Sequence, residues 1–291
     1  MAERRSVAAD VVGSKPTSRP KHPTVTEMAT PSPAPLLPLM ADSPNSSQTG
    51  LYTGTSGWAY ATWKPGFYPA TVPATKFLAH YASQLNSVEV NYTFRALPTI
   101  KQLENWLAVA PAGFRFSFKA PQRITHFKRL FECSQMLEEF VRALAPVREA
   151  GKLGPLLFQL PPNFKLDLDR LTGFLAAPIL HSPGAPRIAF EFRHESWFTE
   201  PVFAAMRQAN AALCIAESDD LATPDVHTAD FSCYRLRKDG GYNAAEVKAF
   251  AQEFRPLAAE REVFVYFKHE DEPTGPLAAV ALRKALAEKP R

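Results

Sequence analysis

Polar side chains recur at the ends of short apolar runs in this chain. Glu191 and Arg193 close one run, Lys119 another, and Asn91 and Gln159 two more. The loops that follow carry Trp58, Tyr92, His126, His194 and Trp197. A carboxylate among cations has a definite chemistry. Glu191 can serve as general acid or base, while Lys119, His126 and Arg193 act as electrophilic clamps on negative charge. Trp58, Tyr92 and Trp197, with Asn91, Gln159 and His194, suit a polar ligand, because rings stack on sugars or bases while cations hold phosphates or carboxylates. The structural alternative is that the tryptophans, Trp63 included, only pack the top layer of the fold.

Other chemistries lack their signatures. No His-x-x-x-His, Cys-x-x-Cys or adjacent carboxylate cluster supports a metal site, and none is expected. There is no Gly-x-Ser-x-Gly elbow and no Gly-x-x-x-x-Gly-Lys phosphate loop. No Gly-x-Gly-x-x-Gly turn follows the first strand, so no organic cofactor is implied. Glu191 and Glu217 could form a glycosidase-like pair. Glu217, however, falls in step with Leu213 and Ile215, which turns it away from the mouth. Cys133, Cys214 and Cys233 have neither metal nor redox spacing and read as small buried hydrophobes.

The elements that must position these residues alternate along the chain. Strands are predicted at 52–56, 87–91, 114–119, 155–160, 187–193, 212–217, 231–236 and 262–268. Helices are predicted between them at 75–84, 100–109, 133–148, 168–175, 200–209, 244–257 and 277–288. Eight strands alternating with helices predict a single (β/α)₈ TIM-barrel-like domain over 51–288, with a doubly wound sheet as the alternative. Residues 218–229 are too few and too rich in Pro and Asp for a full helix, so one crossover should be degenerate.

Strand parity adds a second inference. Phe114, Phe116 and Phe118 alternate with Arg115, Ser117 and Lys119. Ile188, Phe190 and Phe192 alternate with Ala189, Glu191 and Arg193, and Val88 and Val90 with Glu89 and Asn91. Successive side chains point to opposite faces, and the outward face of a barrel packs on helices. The charged set therefore points inward. It would form either a salt-bridge lattice, with Glu89 and Glu191 neutralising Arg115 and Arg193, or an active site at the strands' carboxyl ends.

Composition sets the wider bounds. The chain has 291 residues, 46% hydrophobic and 21% charged, and a formal net charge of +4. That excludes a wholly disordered, collagen-like or coiled-coil protein and is far from the charge of a dedicated nucleic-acid binder. Eight of its 27 prolines fall in residues 1–50, among Ser, Thr and Ala. This stretch is expected to be a disordered tail without catalytic residues. No apolar run reaches the ~20 residues needed to span a membrane, and a cytoplasmic location is expected.

Five blocks in order, Gly54-Thr55-Ser56-Gly57-Trp58, Phe114 through Pro121, Arg123-Ile124-Thr125-His126, Gly154 through Pro162, and Glu191-Phe192-Arg193-His194-Glu195-Ser196-Trp197, resemble the DUF72 (YecE-like) family over roughly 51–287. The resemblance implies a TIM-barrel-like domain and no particular reaction. It also implies a general likeness to metal-dependent barrels such as endonuclease IV and xylose isomerase, whose dense ligand set this chain lacks. The chain departs from the family pattern in three places. Glu217 replaces an Asp after the sixth strand, Arg237-Lys238 replaces His-Gly after the seventh, and Tyr266-Phe267-Lys268-His269 replaces Tyr-Phe-Asn-Asn in the last. These changes add positive charge at the mouth.

Two functions follow from the sequence. One is an enzyme of hydrolase or lyase type acting on a small polar or anionic ligand such as a sugar, phosphorylated metabolite or nucleotide. The alternative is a non-catalytic barrel that holds a phosphorylated ligand or nucleic acid on the same surface.

Overall fold

The computed structural model describes residues 50–217, 221–268 and 271–288. Of the expected tail, residues 1–50, all but Gly50 lie outside the described residues. From Leu51 the elements run β1 (Leu51–Thr55), α1 (Phe77–Gln84), β2 (Ser87–Val90), α2 (Ile100–Val109), β3 (Arg115–Lys119), α3 (Ser134–Ala143), α4 (Ala145–Glu149) and β4 (Leu153–Gln159). They continue with α5 (Leu168–Leu175), β5 (Ile188–Glu191), α6 (Glu200–Gln208), β6 (Ala212–Glu217), β7 (Phe231–Leu236), α7 (Ala244–Glu260), β8 (Glu262–Phe267) and α8 (Thr274–Ala287). All eight strands are parallel, in the order β1-β8-β7-β6-β5-β4-β3-β2. This is the (β/α)₈ arrangement.

The barrel closes through a narrow seam. Between β1 and β2 the backbone makes a single isolated bridge, Ser56 to Glu89. Side chains seal the rest. Asn86 accepts from the Thr53 amide (2.8 Å) and donates to the Leu51 carbonyl (2.8 Å), and the Tyr81 hydroxyl accepts from the Thr55 amide (2.8 Å). Gly54 is required here, because a Cβ at that position would lie 2.1 Å from the Ser87 carbonyl oxygen. The seam brings β1 and β2 close enough for Ser56 and Glu89 to share one cluster.

Helix boundaries follow local chemistry. Thr99 and Gln102 form a reciprocal capping box at α2, as do Asn243 and Glu246 at α7, and the Asp167 side chain accepts from the Arg170 amide at α5. The single helix expected over 133–148 is two. It breaks at Leu144 because Pro146 in the next turn lacks an N–H and crowds the preceding carbonyls. Between β6 and β7, residues 221–230 hold no helix, which is the degenerate crossover; residues 218–220 lie outside the described set.

Parity decides what fills each layer. Phe116, Phe158 and Phe190 are buried on the outer face, where Phe116 stacks on Trp106 of α2 and Phe158 meets Phe174 of α5. The inner core holds Leu157, Ala189, Ala212, Cys214, Phe231, Cys233, Phe264 and Tyr266. The Tyr266 hydroxyl sits between Ser87 Oγ (2.7 Å) and Ser117 Oγ (2.5 Å), so the middle of the barrel is hydrogen-bonded rather than purely aliphatic. All three cysteines are buried free thiols. Among the described residues, no helix is long and apolar enough to cross a membrane.

Candidate functional site

Two carboxylates and one guanidinium occupy the barrel axis just below the carboxyl ends of the strands. β2 supplies Glu89, β5 supplies Glu191 and β7 supplies Arg235, and all three are buried. Arg235 Nη1 donates to Glu191 Oε2, while its Nη2 donates to Glu89 Oε1 at 2.7 Å and to Ser56 Oγ at 3.3 Å. Ser56 Oγ also donates to Glu89 Oε1 at 3.0 Å. Burial alone would raise the pKa of Glu191. The Arg235 guanidinium and a hydrogen bond from Gln159 outweigh it and hold the carboxyl at about 2. Burial works against the charge on Arg235, but Glu191 and Glu89 raise its pKa above the ordinary arginine value.

A second layer rises from this triad toward the opening. Gln159, ending β4, donates from Nε2 to Glu191 Oε1 (2.8 Å) and accepts at Oε1 from Lys119 Nζ (2.7 Å), which ends β3. Lys119 is half-buried beneath the Phe94 ring, with Nζ 4.4 Å from its centroid. Burial lowers the pKa of this amine, and the neighbouring Arg235 lowers it further, to about 8. Arg193 Nη1 reaches Glu191 Oε1 at 3.5 Å. Arg237, one step above Arg235, makes no side-chain hydrogen bond or ion pair among the described residues. Its pKa is lowered by burial and by Arg235.

Two further groups line the opening. Asn91 directly follows β2, where the chain turns out of the strand with helical backbone angles, and its Oδ1 is buried without a hydrogen-bond partner. His126 lies in a π-helical turn, Arg123–Phe127, with Nδ1 2.9 Å from Thr125 Oγ1 and its ring edge-on to Phe94. Burial, Lys119 and Arg129 all lower the pKa of His126, which keeps the imidazole neutral at neutral pH.

Of the residues singled out in the sequence, Asn91, Lys119, His126, Gln159, Glu191 and Arg193 therefore gather at one mouth. Tyr92 stands at its rim, 48% exposed. Trp58 is half-buried and meets Trp106 edge-on at 5.1 Å. His194 caps the turn Glu195–Trp197 by accepting from the Ser196 amide at Nδ1 (3.1 Å). Trp197 is fully buried in the outer layer, stacked on Phe192 at 4.7 Å and donating from Nε1 to the Phe164 carbonyl (2.7 Å). Its surroundings are those of a packing residue. Glu217 is exposed and accepts from the Tyr242 hydroxyl (2.8 Å), on the face its parity gave it.

The expected partnership of Arg115 with the inner carboxylates is not found. In the β2–β3 register Arg115 is level with Ser87, whereas Glu89 is level with Ser117, one inward layer higher. Arg115 instead lies over the Tyr52 ring at the amino end, 5.2 Å from its centroid. The neutralising cation is Arg235, which sequence reasoning missed. Its one signal was an arginine inside a strand whose two faces both mix apolar and polar residues. Lys268, added by the departure in the last strand, bonds to Asp239, and His269 lies outside the described residues. Among the described residues, no group of three or more His, Cys, Asp or Glu side chains could hold a metal ion.

Comparison with known proteins agrees with this architecture. The family model described as "Protein of unknown function DUF72" matches residues 52–291. The UPF0759 protein YunF of Bacillus subtilis (strain 168) is 29% identical over 157 residues, which is 53% of this chain and 54% of that protein. The UPF0759 protein YecE of Escherichia coli (strain K12) is 30% identical over 151 residues, 52% of this chain and 51% of its own. The chain thus spans about half the length of the curated relatives it matches. A crystal structure of a DUF72 family protein from Thermotoga maritima superposes with a TM-score of 0.71 at 23% identity, covering 82% of this chain and 99% of that one. One from Enterococcus faecalis gives 0.68 at 19% identity, covering 83% and 97%. At these identities the two structures speak for the fold.

Proposed function

The chain belongs to the DUF72 family, and from that premise we propose that it binds a small anionic ligand at the carboxyl-end mouth of its barrel. The observation that carries this reading is an imbalance of charge. Among the described residues, Lys119, Arg193, Arg235 and Arg237 converge on two carboxylates, Glu89 and Glu191, both of which are engaged by Arg235. Lys119 and Arg237, whose proton affinities are lowered by burial and by the neighbouring Arg235, gain free energy from an incoming anion. Arg237 offers unengaged donors, and the orphaned Asn91 Oδ1 would accept from a ligand hydroxyl or amine.

Glu191 then has a defined part to play. Held at a pKa of about 2, it stays ionised throughout the neutral range and neither gives a proton nor readily takes one. It serves as the counter-ion that orients Arg235 and, through Gln159, the amine of Lys119. The opposite end of the barrel also has a hollow, about 650 Å³, lined by Tyr52, Asn86 and Arg283 among others. Its polar groups already hold structure, Asn86 at the seam and Arg283 on the Gln84 carbonyl (2.7 Å).

The test uses phosphate and oxalate with the full chain at low salt. Either anion should raise the melting temperature, and the rise should be lost in Arg237→Gln and reduced in Lys119→Met. Soaked crystals should show the anion at the mouth. Density confined to the amino-end hollow, or an equal rise in both variants, would overturn the reading.

A further inference from the structure

We propose that Lys119 is a covalent amine: it forms a Schiff base with an anionic aldehyde or 2-oxo acid seated in the mouth. The inference rests on the anion-binding reading and deepens it by naming the substrate class.

Four features of the geometry point to this chemistry. First, Lys119 Nζ has no carboxylate within ion-pair distance among the described residues, and its hydrogen bond runs to a neutral amide oxygen, Gln159 Oε1. A lysine whose task is to neutralise would be paired with an acid. Second, the Phe94 ring covers the amine, which limits its access to water. Third, Arg193 and Arg237 stand at the same opening to take the carboxylate or phosphate of such a ligand. Fourth, Asn91 directly follows β2 at the carboxyl end, and its unpartnered Oδ1 is an acceptor for the hydroxyl that carbonyl addition creates. The depressed proton affinity of Lys119 agrees with this role, since a desolvated lysine beside another cation is the usual form of an activated amine.

The step is balanced. The Lys119 ammonium loses one proton to solvent or to the neutral His126, and its lone pair forms the N–C bond as the C–O π bond breaks; a second proton then passes from nitrogen to the oxygen to give the hydroxyl. The first proton is returned to that hydroxyl, which leaves as water as the C–O bond breaks, giving an iminium with one proton on nitrogen and no change of oxidation state. His126 meets the same Phe94 ring and is placed to carry the proton between the two stages.

The test is reductive trapping. The full chain is incubated with glyoxylate and sodium cyanoborohydride near pH 7.5, a neutral-range value at which an amine of depressed pKa reacts ahead of ordinary lysines. The adduct is then mapped by peptide mass spectrometry. Lys119 should be modified on the order of tenfold or more faster than exposed lysines such as Lys101, and oxalate should protect it. A rate at Lys119 no greater than at Lys101 overturns the proposal. If oxalate still raises the melting temperature through Arg237 in that case, the anion site stands and only the Schiff base falls. Selective modification without oxalate protection supports the amine and overturns the anion reading instead.

Discussion

Replacing Arg235 with Met tests the buried triad at its centre. The change removes the group that bonds both Glu89 and Glu191, leaving two carboxylates inside the barrel without their guanidinium. The magnitude can be reached in two ways. The pKa of Glu191 drops from 4.5 to about 2 on folding, and at about 1.4 kcal/mol per unit this is worth about 3 kcal/mol at neutral pH. Removing one partner of a buried ion pair typically costs about 3–5 kcal/mol. The sign with pH follows from the direction of the shift. In the native chain the folded pKa of Glu191 lies below the unfolded one, so its contribution is complete above about pH 4.5 and is lost as the pH falls toward 2. In the variant burial dominates and the shift reverses, so stability should fall as the pH rises from about 5 to 8. Urea unfolding of both proteins at pH 5 and pH 8 reads this directly. Arg207→Met is the control, because Arg207 pairs with Glu200 on the surface and should change stability by no more than about 0.5 kcal/mol. Combining Glu89→Gln and Glu191→Gln with Arg235→Met should restore much of the loss, since no buried charge then remains. A loss at Arg235 as small as at Arg207, with no change in pH profile, would refute the triad as the organising contact of the barrel.

Lys119→Met should flatten the alkaline limb of the stability profile. The folded pKa of Lys119, about 8, lies below the ordinary lysine value of 10.5, so the unfolded chain binds more protons between these values. Wild-type stability should therefore gain from this group as the pH rises from about 8 to 10.5, and the difference between wild type and variant should show that gain. At the seam, Gly54→Ala places a methyl 2.1 Å from the Ser87 carbonyl oxygen, which is backbone and cannot turn aside. A loss of about 3 kcal/mol or failure to fold is expected, measured by thermal melting beside the tolerant Gly173→Ala, where a Cβ meets nothing within 4 Å.

Much of the fold was legible in the chain because its strands alternate so regularly. Phe116 and Phe118 face α2 and the outer core, and Ser117 and Lys119 face the axis, as period-two patterning requires. The same patterning fails at Phe231-Ser232-Cys233-Tyr234-Arg235-Leu236, where both parities mix apolar and polar residues. β7 is buried on both faces, so neither set is marked as inward and Arg235 goes unseen. Parity also assigns a face but not a depth. Depth depends on how each strand is staggered against its neighbours, and that stagger placed Arg115 at the amino end with Tyr52 while Glu89 rose to meet Arg235.

The stagger also explains why, among the described residues, cations outnumber carboxylates at the mouth when the chain as a whole is nearly balanced. Arg235 lies deep enough to bond both inward carboxylates, so Glu89 and Glu191 are satisfied below the opening. Among the described residues, the groups one layer higher are left without acids of their own. Lys119 settles on the amide of Gln159, Arg193 reaches Glu191 only at 3.5 Å, and Arg237 has no acid partner among the described residues. Had the neutralising cation been Arg115, as the sequence suggested, the carboxylates would face upward and the mouth would favour a cation. With Arg235 in the floor both carboxylates are engaged below the opening, so on the anion-binding reading proposed above the ligand's charge is set by a residue the ligand need not touch.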